Sequence, residues 1–338
     1  MHEKWPTHWR LLNILKMNAG ASMKGPELAA RLQISRTAVW KHMQKLISLG
    51  YTITTHPKIG YQLVETPDLL IPEEVLPNLT TAALGRTYHY FDSVDSTNDR
   101  LLQLAMQGAS HGTVIAAEEQ TRGKGRLGRQ WLSGSRQGIY MSILLTTPQP
   151  ANTAHQTTLL AAISLVKVLA RDYQLRAQIK WPNDVLIGGR KVSGILTEVQ
   201  SDQDLIRFLV LGIGINVNQE LEDFAGPLRY PATSLALENG ARVKRPQLLA
   251  AFLNQFEVDY ETLLRDGFAT FQALFEEKSS VMGKRVTIHC GTVEKTGTVT
   301  GFTVEGALRL KTVEGEEHVI WVGDVTQVEG TRAGQPDS

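Results

Sequence analysis

The chain has 338 residues and 37.4 kDa, a length for two or three domains at about 150 residues each, and 42% of it is hydrophobic and 20% charged. That composition excludes an acidic disordered chain, a collagen-like repeat and a single small module. The net charge of +1 hides an asymmetry, because residues 1–65 hold nine Lys/Arg against three Asp/Glu and the remainder 26 against 31. A basic block joined to a mildly acidic body points to a polyanion-binding module attached to something with another task. Cys290 is the one cysteine, so neither an internal disulfide nor a cysteine-paired structural zinc site can form, and a reducing, cytoplasmic setting is expected. The N-terminal MHEKWPTHWR lacks the apolar core of a signal peptide, and the richest apolar stretch, residues 159–170, is short and interrupted by Lys167. Neither export nor membrane spanning is expected.

In chain order, Trp9, Leu12, Ile14 and Leu15 have helical spacing, and Asn18-Ala-Gly20 stops the run, which predicts a first helix over residues 9–17. A second helix over residues 26–32 begins at Pro26, a residue favoured in a first turn. Gln33-Ile34-Ser35 makes a short turn with Ser35 as N-cap, and a third helix follows over residues 36–49. Its apolar face is Val39, Met43, Leu46 and Ile47, which leaves Arg36, Thr37, Trp40, Lys41, Gln44 and Lys45 pointing elsewhere. The β-prone runs 51–55 and 60–64 flank His56-Pro57-Lys58, a hairpin with a basic tip. Three helices and a hairpin describe a winged helix-turn-helix over residues 1–65.

Residues 66–82 carry Pro67, Pro72 and Pro77 and read as a linker passing through a short helix. From residue 83 to 278, strand-like runs at 114–118, 139–146, 178–181, 194–199 and 208–217 mix with helical runs at 98–107, 156–173 and 246–266. This predicts an α+β domain of enzyme size built on a mixed sheet. Short alternating runs at 285–290, 296–302, 307–311 and 317–322, separated by glycine turns, predict a small β-barrel over residues 279–330, with a tail at 331–338.

The densest chemical signal is Thr121-Arg-Gly-Lys-Gly-Arg-Leu-Gly-Arg-Gln-Trp131. Like charges this crowded repel unless an anion joins them, and glycines let backbone N–H groups approach that anion, so the segment reads as a phosphate-binding loop. Gly123-x-Gly125-x-x-Gly128 satisfies the dinucleotide-binding pattern in letters, but no helix follows it, and Lys124-Gly125 does not continue as a P-loop. A solvated basic surface loop is the alternative. Lys180-Trp-Pro-Asn-Asp184 ends a strand, where a lysine can be aimed into a cleft or simply exposed. Asp95-Ser-Thr-Asn98 opens a helical run as an N-cap cluster whose spare N–H groups can also receive a polar ligand. Gly212-Ile-Gly-Ile-Asn-Val217 is either a packed strand or a wall that a ligand approaches closely. The nine histidines are scattered, and no Ser/His/Asp or Cys/His constellation can be assembled, which disfavours covalent catalysis by an enzyme nucleophile.

With Ser96-Thr-Asn98, the Arg122 to Arg129 loop, Lys180-Trp-Pro-Asn-Asp184 and Gly212-Ile-Gly-Ile-Asn216 in that order, the chain resembles a biotin protein ligase over nearly its whole length. The N-terminal winged helix resembles that of the bifunctional members, which are also biotin operon repressors. The resemblance implies a central biotin/lipoate-ligase fold, an SH3-like terminal barrel and a two-step reaction. Biotin attacks the α-phosphate of ATP, with Mg²⁺, to give biotinyl-5′-AMP, and a lysine of a biotin carboxyl carrier protein or carboxylase carrier domain then takes the biotinyl group. It implies Lys180 and Arg126 as the catalytic cations and no resident metal. Biotin would contact Ser96, Thr97, Asn98, Gln120, Lys124, Gly125, Arg126 and Lys180, with Gly194, Gly212 and Gly214 shaping its pocket; the adenylate side would involve Arg126, Arg129, Trp131, Lys191 and Asn216. Many family members have arginine where Lys124 stands, so this chain keeps the charge and loses the guanidinium fork. The resemblance further implies an adenylate-bound homodimer on palindromic operator DNA, read by Thr37, Trp40, Lys41, Gln44 and Lys45 with Lys58 on phosphate and Arg36 a further DNA-binding residue. A biotin-sensing regulator without turnover is the alternative, and a lipoate or octanoate transferase would need a nucleophile that the sequence does not offer.

Overall fold

The structure, a computed structural model, describes residues 6–56, 58–146, 150, 153–202, 205–225 and 230–328. Pro57 of the expected hairpin tip and the expected tail at 331–338 lie outside them. The chain divides into two compact units, Met1–Leu69 and Leu70–Ser338.

The first unit contains α1 (Thr7–Met17), α2 (Gly25–Leu32) and α3 (Arg36–Ser48). Ser35 caps α3 as expected, its Oγ accepting the Ala38 N–H at 3.1 Å. The buried face of α1 is His8, Leu11, Leu12 and Leu15, while Trp9 and Ile14 sit half-buried at its edges. In α3, Val39, Met43 and Leu46 are buried but Ile47 is 40% exposed. At 3.6 residues per turn Ile47 lies about 80° round from Val39, past the rim of the apolar stripe. The strands β1 (Thr52–His56) and β2 (Gly60–Glu65) form the antiparallel wing, and Met23 bridges Tyr61 beside them. Gly60 has φ +105°, and any side chain there would run into the Met23 carbonyl.

The second unit opens with α4 (Pro72–Val75), the short helix expected in the linker, and is built on a seven-stranded sheet of β3 (Tyr88–Phe91), β4 (Val114–Ala117), β5 (Ile139–Leu145), β6 (Ala177–Lys180), β7 (Asp184–Ile187), β8 (Arg190–Asp202) and β9 (Leu205–Ile215). Their order is β3-β4-β5-β9-β8-β7-β6, with β3 parallel to β4 and every other pair antiparallel. The period of two sorts the faces: Ile115, Leu144 and Val210 pack on Leu101 and Ala105 of α5 (Thr97–Met106). Val114, Ala116, Ile143 and Leu211 join the larger core with α6 (Ala154–Tyr173) and α8 (Arg245–Asp266). Each fully buried Leu, Ile or Phe contributes about 1.5–3 kcal/mol, so this two-sided burial is what holds the sheet as a platform. Short β3 and β7 were not expected from the sequence, because four-residue strands carry little periodicity, and α7 (Leu235–Asn239) and α9 (Ala269–Lys278) are further helices that were not expected.

The terminal strands β10 (Arg285–Cys290), β11 (Val293–Phe302), β12 (Leu308–Lys311), β13 (Glu317–Ile320) and β14 (Asp324–Val328) form an antiparallel sheet in the order β13-β12-β11-β10-β14. The run expected over 317–322 ends at Ile320, and β14 is a strand the sequence reading lacked. Val286, Ile288, Phe302 and Leu310 belong to the same core as the seven-stranded sheet, so this barrel-like element packs as part of the second unit.

Candidate functional site

The second unit encloses a cavity of about 440 Å³, the size of a cofactor or drug-sized ligand site. Its first wall is the start of α5. Ser96 caps this helix, its Oγ accepting the Asp99 N–H at 3.4 Å, and Ser96, Thr97 and Asn98 are all buried. Ser142, a polar residue in the otherwise apolar β5, places its Oγ 2.8 Å from Thr97 Oγ1 and 2.6 Å from Asn98 Oδ1, and Asn98 Nδ2 donates to Glu198 at 2.7 Å. Gln120 Oε1 accepts from the Thr97 N–H and hydroxyl at 2.8 and 3.0 Å, while its Nε2 donates to Ser133 at 3.0 Å. A side chain at Gly212 would collide with the Asn98 amide. The glycine thus makes room for a wall residue.

The basic loop is a small hairpin. Lys124 bridges Gln130, the Trp131 N–H donates to the Gly123 carbonyl at 2.9 Å, and the Gly125 N–H donates to the Arg129 carbonyl at 2.8 Å. A 3₁₀ turn over Arg126–Gly128 closes it, with Leu127 at φ 57° and Gly128 at φ 72°. No helix follows, which is why the dinucleotide-binding pattern in the letters carries no such fold. Trp131 lies over Gly214 and Gly194, where a side chain at either position would meet its indole. Its Nε1 is buried and has no hydrogen-bond partner among the described residues.

Each cation of the cavity is held by the protein. Lys124 pairs with Asp99, and that hydrogen bond raises the ammonium pKa above its ordinary value. Arg129 donates to Asp324 Oδ2 at 2.5 Å, which likewise raises it, and Lys191 pairs with Asp184 at 2.7 Å while its Nζ lies 5.3 Å from the Trp131 ring centroid. Arg126 donates to Asn183 Oδ1 at 3.3 Å and to the Gly323 carbonyl at 3.1 Å; burial lowers its pKa against the opposing pull of Asp324 and Asp184. A guanidinium nevertheless stays charged in a protein. Outside this set, Asp95 is held below the usual carboxylate range by the Ser96 N–H first and by Arg122, 3.1 Å away.

Ser96, Thr97, Asn98, Gln120, Lys124, Gly125, Arg126, Arg129, Trp131, Lys191, Gly194, Gly212, Gly214 and Asn216 all line this one cavity, although they come from distant parts of the chain. Asn216 is fixed by donating to the Thr233 carbonyl at 3.1 Å. Lys180 is not part of that lining; its Nζ lies 3.7 Å from the centroid of the Tyr230 ring, which is. Sequence reasoning also missed Asp99, Asp184, Tyr230 and Asp324 as cavity partners; only Asp184 had a signal, its place in the Lys180 to Asp184 motif. Gly323 and Asp324 belong to the terminal barrel, which therefore completes the site by holding Arg126 and Arg129 of the loop.

In the first unit, Arg36, Thr37, Trp40, Lys41, Gln44, Lys45 and Lys58 are all exposed, Trp40 at 53%. Exposed polar and basic side chains on one helix are the groups from which base-edge and phosphate contacts are built.

Residues 90–216 match the Biotin/lipoate A/B protein ligase family, and residues 10–62 match an HTH domain. The chain is 36% identical over 307 residues to the Bifunctional ligase/repressor BirA of Bacillus spizizenii, covering 90% of this chain and 94% of that one. It is 29% identical over 293 residues to the Bifunctional ligase/repressor BirA of Escherichia coli, covering 86% and 89%. Among solved structures, the biotin protein ligase of Aquifex aeolicus in complex with biotin and ATP superposes with a TM-score of 0.62 at 31% identity, covering 71% of this chain and 97% of that one.

Proposed function

The chain belongs to the biotin/lipoate A/B protein ligase family, in its bifunctional ligase/repressor branch, and on that footing we propose how its own residues perform the activity. The protein activates biotin with ATP to biotinyl-5′-AMP, transfers the biotinyl group to a lysine of a carboxylase carrier domain, and represses biotin genes as an adenylate-bound dimer. One observation carries the reading: Lys124, Arg126, Arg129 and Lys191 line the same cavity as the polar Ser96-Thr97-Asn98 helix start.

The first step brings an anionic carboxylate to a polyanion, and mutual repulsion is its first barrier. A biotin carboxylate oxygen bonds to the α-phosphorus as the bond to the bridging oxygen breaks and pyrophosphate leaves. Arg126, Arg129 and Lys124, fixed before the ligand arrives, offset the charge spread over the phosphoryl oxygens without reorganisation at the moment of reaction. Mg²⁺ enters on the triphosphate as part of the substrate, as suits an ion that takes one or two protein carboxylates at most. In the second step the carrier lysine's neutral amine attacks the biotinyl carbonyl and AMP leaves. The mixed anhydride is already activated, so the absence of a nucleophilic constellation in the sequence is no obstacle.

A dimer presents two copies of α3 to a palindromic operator, with Thr37, Trp40, Lys41, Gln44 and Lys45 toward the bases and Arg36 and Lys58 toward phosphate. The setting is cytoplasmic; no helix among the described residues is long and apolar enough to cross a membrane. The deciding experiment supplies the purified full chain with biotin, MgATP and an apo carrier domain. ATP-dependent labelling of the carrier is expected. Lys180→Ala is expected to lower kcat about 100-fold at saturating substrates with melting unchanged; a change confined to KM would assign Lys180 to seating Tyr230 instead. Biotin binding without labelling would make the protein a sensor.

A further inference from the structure

The catalytic unit buries one ion pair that the chemistry above does not use. Arg245, in the first turn of α8, is 0% exposed, and its Nη1 donates to Glu118 Oε2 at 2.7 Å and to the Gly138 carbonyl at 3.0 Å. Glu118, directly after β4 and 1% exposed, accepts the Leu70 backbone N–H on its other oxygen at 2.7 Å. Two charges withdrawn from water are costly unless excellent geometry and further hydrogen bonds satisfy them. What those further bonds reach therefore shows what the pair holds.

They reach both stems of the basic loop and the point at which the chain comes into the unit. The outgoing stem is Glu118 itself. On the returning stem, the Arg136 N–H donates to the Glu118 carbonyl at 3.1 Å, and the Gly138 carbonyl is the second acceptor of Arg245. Two residues past Glu118 stands Gln120, which holds Thr97 and Ser133. Leu70 is gripped from both sides, since its carbonyl accepts the Tyr88 hydroxyl at 2.7 Å.

We propose that the Glu118–Arg245 pair is a positioning clasp that closes the root of the basic loop, seats Gln120 against Thr97 and ties that seat to Leu70. Order in the loop and fixing of the segment leading in from residue 69 then rise and fall together. Neither residue is catalytic; both act on ligand through Gln120 and the loop. The ligand side of this inference rests on the reading of the cavity as a biotin site, whereas the tie to Leu70 does not.

The test uses the full chain without ligand and follows proteolytic cleavage within residues 121–136 and within residues 65–70, against a control segment in α6. In E118Q/R245Q, which leaves no uncompensated buried charge, both segments are expected to be cut about tenfold faster while the control is unchanged. R245K, which keeps a cation at the same place, is expected to keep cleavage slow, and if the double variant does not fold, E118Q alone, which weakens the pair, is expected to speed cleavage of both segments. Acceleration of one segment only, or of neither, overturns the clasp. In a second measurement the double variant is expected to raise the biotin KM about tenfold at unchanged kcat, with R245K recovering it. An unchanged KM overturns the ligand side. If the unaltered protein binds no biotin, the functional reading fails while the cleavage result still decides the tie to Leu70.

Discussion

The cations of the cavity and those of α3 and the wing are managed in opposite ways. In the cavity, Lys124 is held by Asp99, Arg129 by Asp324, Lys191 by Asp184 and Arg126 by Asn183 and the Gly323 carbonyl. On α3 and the wing, Arg36, Lys41, Lys45 and Lys58 are exposed, and among the described residues their side chains form no ion pair. The difference follows from the two tasks. Stabilising charge that develops on a phosphoryl group requires donors already in place, so that nothing reorganises during the reaction. Binding a DNA backbone draws its free energy largely from releasing counterions, and a mobile, solvated cation serves that as well as a fixed one.

Removing a held cation should therefore cost far more than removing a solvated one. Arg126→Ala is expected to lower the adenylation rate, read as pyrophosphate release, by about 10²–10³-fold, the usual loss for one preorganised donor. A loss below tenfold would break the comparison, leaving the loop cations as ordinary surface charge. Lys58→Ala should leave biotin transfer unchanged and weaken operator binding; the phosphate contact removed should reduce the slope of log affinity against log salt by about one. An equal slope would mean that the wing does not meet phosphate through this lysine.

The smallest effect separates the two units by pH. Burial lowers the pKa of His111, whose Nδ1 accepts the Thr146 N–H at 3.1 Å, so the folded catalytic unit binds its proton less readily than the unfolded chain does. Stability in that window rises with pH, and falls as pH drops below about 6.5, the ordinary histidine value. His111→Asn should flatten this dependence in melting curves. A dependence unchanged by the substitution would place the acid sensitivity elsewhere.

The local parts of the fold were legible. Ser35 and Ser96 announce helix starts by their chemistry, and both caps are present, with Oγ accepting the N–H three residues on. The crowding of Arg122, Lys124, Arg126 and Arg129 announced an anion site for the same local reason, since neighbouring like charges repel wherever the chain goes. Ile47 was misjudged because an apolar residue at the rim of a helical stripe obeys the same spacing rule as one inside it. The neighbour of Lys180 was not legible, because a strand-end position says where the backbone stops and nothing about which side chain, here Tyr230, meets the ammonium.

The sequence by itself determined the winged helix, the basic loop and the order of the ligand-facing segments, because periodicity, capping and charge crowding act over a few residues. Only the tertiary structure decided who holds the cations. Arg129 meets Asp324 across 195 residues and Arg245 meets Glu118 across 127. Pairs at such separations leave no periodic trace in the chain. They form because packing the sheet, α8 and the terminal strands around one core brings those residues together, and for Arg245 and Glu118 it also takes both charges out of water, where each must find its partner.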